Sequence, residues 1–241
     1  SSMDEDAVDG TELPDDAVQW RRDANTSRTV RLLWTFGVGT FFAAISIVVS
    51  WRLYRMASGV GGGIVVIALL AALATTVLAL AATDEPERYL EWLPGDVPSG
   101  TRLDRAMDAA VGTVVMGIVI GSLLGIGRYI SQNELLAVGA SPFTALVTLL
   151  LPLALVALVL ASFLQSVGTL DRDAQTIYLY EPKQAIDLTV IEDVSVRPIG
   201  DAAVLSLRYA QPGGQYVQGP RRLVVPPAVA RDVAAIVNAE Q

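Results

Sequence analysis

The chain has 241 residues, 52% of them apolar, and its acidic side chains outnumber its basic ones by 25 to 17. Together with a positive mean hydropathy, that composition belongs to a membrane protein with room for one membrane domain and one small soluble domain. Cysteine and histidine are absent, which removes disulfides, thiolate nucleophiles, the usual zinc sites and the commonest general base, so neither an enzyme nor a metal or other cofactor is expected.

Among the 17 basic residues only Lys183 is lysine. An acid-rich, lysine-poor chain with a pI near 4.5 reads as halophile-type, adapted to a cytosol of very high salt. At molar salt the Debye length is about 3 Å, so long-range attraction to nucleic acid or headgroups is weak, and no nucleic-acid partner is expected.

Ser1-Ser2 before Met3 reads as an added remnant outside the fold. Residues 4–16 are acidic and poor in large apolar side chains, which predicts a disordered tail without the positive start of a secretory signal. From Ala17 the character changes to Val18, Trp20, Arg21, Arg22, Arg28 and Arg31, an arginine-rich juxtamembrane approach with one aromatic residue suited to the headgroup region. Residues 1–31 thus form a tail and a juxtamembrane segment. Asn25-Thr26-Ser27 matches the glycosylation pattern, which matters only if this end is outside.

Four apolar spans follow, over about 32–51, 60–82, 106–127 and 143–164, each long enough for a bilayer core of roughly 30 Å. The glycine-rich link around Gly61-Gly62-Gly63 makes the first two an antiparallel hairpin. Between the second and third, residues 85–93 read as a short interfacial helix opened by Pro86, with Tyr89, Leu90, Trp92 and Leu93 along the interface. The third span carries Ala109, Thr113, Gly117, Gly121 and Gly125 at every fourth position. On a helix these make one stripe of small side chains that a neighbouring helix can approach closely. Ser141-Pro142 opens the fourth span, where Pro152 predicts a kink, with the freed carbonyl of Thr148 served by the Thr148 side chain or a neighbouring helix. Eight arginines flank the spans on the side of the chain ends, against Arg52, Arg55 and Arg128 on the other, which places both ends in the cytoplasm.

Beyond Leu164 the periodicity becomes alternating. Residues 167–171 and 176–180 read as a hairpin, with further strands at 186–188, 194–197, 203–209 and 216–225 and turns at Gly200-Asp201 and Pro212-Gly213-Gly214. A final helix opens at Pro226-Pro227 and carries Val229, Val233, Ile236 and Val237 as one apolar stripe.

Antiparallel strands closed by one C-terminal amphipathic helix, with the opening hairpin Thr169-Leu170-Asp171-Arg172-Asp173 and with Ile186-Asp187-Leu188 followed by Ile191-Glu192-Asp193-Val194, resemble the bacterial-type pleckstrin-homology-like (PH-like) domain. The resemblance covers 166–241. It implies a small bent barrel plugged at one end by the helix, often carried on membrane spans in prokaryotes and facing the cytoplasm. In phosphoinositide-binding relatives the first hairpin is basic; here it is Asp171-Arg172-Asp173, so phosphoinositide binding is not expected.

The spans are read as carrying no charge for ion or proton work, and their glycines as serving helix packing. Asp84, Glu85, Glu87, Glu91, Asp104 and Asp108 read as a solvated, partly paired surface. Arg197, Arg208, Arg221 and Arg222 form the candidate docking patch on an outer strand face. The expected whole is a transmembrane α-helical domain of four helices (32–164) with a small barrel-like PH domain (166–241). It would be a multi-pass cell-membrane protein in contact with the lipid bilayer, acting as a non-catalytic interaction, scaffold or assembly module with a protein partner or as a homo-oligomer. A small transporter or channel subunit is the alternative.

Overall fold

The computed structural model describes residues 16–91, 95 and 100–239. The acidic stretch 4–15, and Trp92 and Leu93 of the expected interfacial helix, lie outside the described residues. The chain divides into two compact units, one of Arg28–Ser162 and one that joins Ser1–Ser27 to Phe163–Gln241.

The first unit holds α1 (Arg28–Ser58), α2 (Gly63–Ala81), the short α3 (Pro86–Leu90), α4 (Thr101–Gln132) and α5 (Ser141–Phe163). Four of these are long and apolar enough to cross a membrane. The membrane character shows in what is left uncovered: along α2, Ile64 is 76% exposed, Leu69 66% and Leu73 62%. A helix apolar on every face and left largely uncovered is suited to lipid.

Close helix packing falls beside the expected stripe. A Cβ built on Gly39 of α1 would lie 2.6 Å from the carbonyl oxygen of Gly112 in α4, and one on Gly112 would lie 2.6 Å from the carbonyl oxygen of Thr35. Two backbones meet there. Around Gly117, Gly121 and Gly125 there is open space, and Gly121 and Gly125 are exposed. The physical reason is rotation: Gly112 precedes Thr113 by one residue, or about 100° around the helix, so the face that meets α1 is offset from the stripe. Below the crossing, Ala43 packs with Met116 and Ile120. Gly37 of α1 meets α5, where an added Cβ would lie 2.9 Å from the carbonyl oxygen of Ala154. The first helix, rather than the third span, is therefore the one that others approach most closely.

Asp108 falls within the bounds of the third span, and it is paired. Arg31 of α1 donates to it from Nε at 2.8 Å and from Nη2 at 2.6 Å, a two-pronged geometry that planar guanidinium and carboxylate groups favour. Arg105 stacks over Trp34, 5.2 Å from the ring centroid, and Glu87 of α3 accepts from the N–H of Gly100, which caps α4. Helix α5 continues through Pro152, and the Thr148 hydroxyl donates to the Thr144 carbonyl rather than serving the carbonyl that Pro152 leaves without its donor.

The second unit is built from two antiparallel sheets and a helix. The four-stranded sheet has the order β1 (Ala17–Arg22), β2 (Ser166–Asp171), β3 (Thr176–Tyr180), β4 (Lys183–Asp187); the three-stranded sheet has β5 (Ile191–Ile199), β6 (Ala202–Tyr209) and β7 (Arg222–Val225) in that order. A C-terminal helix, α6 (Pro227–Ala239), buries Val229, Ala230, Val233 and Val237 in one core with Leu170, Ile177, Leu205 and Val225.

Strand β1 corrects the expected juxtamembrane segment. Residues 17–22 pair with 166–171, Ala17 opposite Asp171 and Arg22 opposite Ser166, so the helices are inserted between the first two strands of a sheet. Trp20 is a core residue, 6% exposed, seated against Gly168, where an added Cβ would lie 2.6 Å from the indole ring. Its Nε1–H donates to the Ser166 hydroxyl. The alternation of Val18, Trp20 and Arg22 against Gln19 and Arg21 is a strand period, but the arginines hide it.

The hairpin of 167–171 and 176–180 is accordingly the second pairing of its sheet and not the first. The last expected strand is shorter than 216–225, because its first half crosses Tyr209 instead of pairing: the Tyr209 hydroxyl donates to the Pro220 carbonyl at 2.9 Å. At Gly200-Asp201 the link between β5 and β6 is two residues long, with Gly200 at φ 59°. A glycine at the first position of such a turn suits the twist of the flanking strands.

Candidate functional site

On β6, Ala203, Leu205 and Leu207 are buried, so Val204, Ser206 and Arg208 point the other way. Their partners across the sheet follow from register: Arg197 lies opposite Val204, Asp193 opposite Arg208, and Arg222 of β7 opposite Ser206. Residues directly opposed share a face. Arg197, Arg208 and Arg222 therefore stand on the outer face of β5, β6 and β7, as the alternation predicts. From the level of Arg197 to that of Arg208 is about 13 Å along the strand.

Arg221 is placed differently. It precedes β7, and its guanidinium lies over the ring of Tyr216, 5.2 Å from the centroid, in the geometry of a cation–π contact. Arg208 and Arg221 come together at a cavity of about 300 Å³, lined also by Asp193, Ser195, Ser206 and Tyr216. Arg197 and Arg222 share the face without lining the cavity. Arg208 is 3.7 Å from Asp193, with 71% and 50% of the two side chains exposed, so the pair is a loose one that water competes for.

Tyr209 forms the wall where the 215–221 segment crosses. Burial pushes its phenol pKa above the ordinary value, and the neighbouring Tyr216 phenol adds to the rise. Its hydroxyl donates to the Pro220 carbonyl. Gly219 is required at the crossing, since a Cβ there would run into the Tyr209 ring. Tyr209 and Tyr216 were not among the residues singled out from sequence. The signal for them is Gly219-Pro220 inside the expected strand 216–225, a pair that marks a turn and not a strand interior.

The β2–β3 hairpin carries little free positive charge. Arg172 donates to Asp232 of α6 at 2.6 Å, and this hydrogen bond, with the charge of the same carboxylate, raises its pKa. Asp171 accepts from the N–H of Ala174 and so fixes the turn. At the base of the unit Arg22 is buried and joins three segments. It donates to the Asp201 carboxylate and carbonyl at 2.9 and 2.8 Å and to the Ser27 hydroxyl at 3.0 Å, with a longer contact to the Leu164 carbonyl. The Ser27 hydroxyl, part of the glycosylation pattern, also lies 2.9 Å from the Asp201 carboxylate.

The outer sheet face presents guanidinium groups, an aromatic ring and two hydroxyls beside a cavity, groups whose chemistry suits carboxylates and planar side chains. Compared with family models, with curated proteins and with solved structures, the chain gives no match.

Proposed function

We propose that this is a multi-pass membrane protein whose PH-like soluble domain is a non-catalytic docking or assembly module, bound by a protein partner on the outer face of β5, β6 and β7. The observation that carries the proposal is the placement of Arg197, Arg208 and Arg222 on one sheet face, with Arg208 and Arg221 at a cavity in it. The PH-like assignment is supported by the succession of a four-stranded sheet, a three-stranded sheet and a closing helix. In that succession the first two strands are joined by the helices instead of a hairpin. A basic first hairpin, which phosphoinositide-binding relatives use, therefore has no counterpart, and protein is the favoured ligand over lipid headgroups.

Pairing of β1 with β2 requires that the flanks of the helices lie on one side of the membrane, as four crossings do. Arginine bias makes that side the cytoplasm. Tags placed at Met3 and Gln241 should both resist protease in intact cells and yield to it after lysis. Cleavage of either in intact cells would reverse the orientation.

In concentrated salt an exposed charge pair is strongly screened, whereas apolar burial is undiminished or strengthened. Val204 and Val224, opposite each other on this face, supply part of that apolar area. The double variant Arg197→Ser, Arg208→Ser of the full chain, purified in molar salt, should lose its co-purifying partner while keeping its melting temperature. Retention of the same partner by the double variant would overturn the assignment of this face, and selective binding to vesicles containing phosphorylated inositol lipid would overturn the choice of protein over lipid.

A further inference from the structure

The helical unit contains an open groove between α1, α2 and α4. Its volume is about 650 Å³, within the roughly 300–1,000 Å³ of small-ligand sites. Ile47, Ile67, Leu70 and Ile118 are among its apolar walls, and Gly117 lies along it. Nothing approaches within 4 Å of a Cβ built on Gly117, so the missing side chain is what leaves the floor open. The groove extends on α4 from Thr113 to Arg128, about 22 Å at 1.5 Å per residue. One leaflet of hydrocarbon is about 15 Å thick, so a groove of this length takes a single tilted acyl chain.

The two ends of the groove differ. Ala43, Ala74 and Thr113 lie at the deep end, and the other is marked by Arg128 with Tyr54 and Trp51. Those two aromatic rings stack, 6.4 Å between centroids, and Trp and Tyr are the residues enriched at membrane interfaces. Arg128 makes no hydrogen bond or ion pair with any described residue. The chain segments on that side of the spans contain Arg52, Arg55 and Arg128 against the single carboxylate Glu134. An apolar slot one acyl chain long, ending at an uncompensated guanidinium on a positive rim, is complementary to an anionic amphiphile.

We propose that this groove holds one acyl chain of an anionic phosphate-headgroup lipid, with the phosphate paired to Arg128. A guanidinium offers a phosphate two parallel hydrogen bonds, and at the edge of hydrocarbon such a contact is screened less than exposed charges are. It is independent of the proposal for the soluble domain, whose face lies in the other unit.

The test uses the full chain in neutral detergent at molar salt, exposed to phosphatidylglycerol or to phosphatidylcholine, with retained lipid read by native mass spectrometry and stability by melting. The parent should retain phosphatidylglycerol at least tenfold more than phosphatidylcholine and melt higher with it. Arg128→Gln should bring the two lipids level, and Arg128→Lys should restore part of the preference. Gly117→Leu should fill the groove and lower retention of both. Melting of each variant without lipid, matched to the parent, separates loss of the site from loss of the fold. Equal retention of the two lipids by the parent, undiminished preference in Arg128→Gln, or the same thermal shift from inorganic phosphate as from the lipid would each overturn the proposal.

Discussion

Arg22 has 6% of its side chain exposed, and a guanidinium so far from water has to be answered by several acceptors at once. Asp201 supplies a carboxylate and a carbonyl oxygen, and Ser27 a hydroxyl. Breaking a buried pair by removing one partner costs roughly 3–5 kcal/mol. The Asp201 side chain is 38% exposed and keeps part of its hydration, so Arg22→Ala should cost about 2–3 kcal/mol in denaturant unfolding of the soluble unit. Arg22→Lys should recover less than half, because an ammonium cannot span the same fork of acceptors. Tyr209 makes a second prediction, with a pH sign. Its folded pKa is raised by burial, so its stabilising contribution is complete below the unfolded value of about 10 and is lost as pH rises through the folded value. Melting temperature should fall on the alkaline side of pH 10. Tyr209→Phe should flatten that limb while losing about 1 kcal/mol at neutral pH with the bond to Pro220; an unchanged alkaline limb would show that another group sets it.

At the scale of elements, the glycines of α1 and α4 separate what a pattern can and cannot tell. Small residues at every fourth position show that a helix has a narrow face, but a single helix does not say which rotation a partner will choose. Gly112 is identified by what stands across from it, Gly39 and the Thr35 carbonyl, and no spacing within α4 contains that information. Substitution should distinguish the two faces. Gly112→Val forces a side chain into backbone, which cannot move aside as a flexible side chain can, and should cost about 3 kcal/mol with a clear loss of melting temperature in detergent. Gly121→Leu enters open space and should leave the melting temperature unchanged; a large loss would show that a second chain covers the stripe. Elsewhere the pattern was sufficient. The strand over 202–209 and the helix after Pro226 are legible because one face of each is apolar at the period of its own element. Strand β1 and the 215–221 crossing were not, since the first buries an arginine beside a tryptophan and the second is shaped by its contact with the Tyr209 ring, which lies outside the segment.

At the scale of the whole molecule, the helices occupy the place of a single connection between paired strands, and this makes a testable claim about what the soluble unit needs. In β2, residues 168–171 are all buried, β1 covering one edge and β3 the other. A fragment that begins at Ser166 would expose that edge, lose the Trp20 indole from the core and leave unpaired strand groups open to other chains. Loss of a large buried aromatic side chain alone is worth about 3–5 kcal/mol, a large part of a small domain's stability. That fragment should therefore aggregate or melt without cooperativity. Arg22 and Ser166 are register partners, so their Cα atoms stand only about 5 Å apart, close enough for a two-residue turn. A chain in which Asn-Gly replaces residues 23–165 should close β1 onto β2 as an ordinary hairpin. It retains Trp20 against Gly168 and the contact of Arg22 with Asp201, while giving up Ser27 and Leu164. The expected outcome is a soluble monomer with one cooperative unfolding transition and near-ultraviolet circular dichroism from a packed Trp20. If the spliced chain and the fragment from Ser166 behave alike, β1 is dispensable and the sheet does not depend on the strand that precedes the membrane helices.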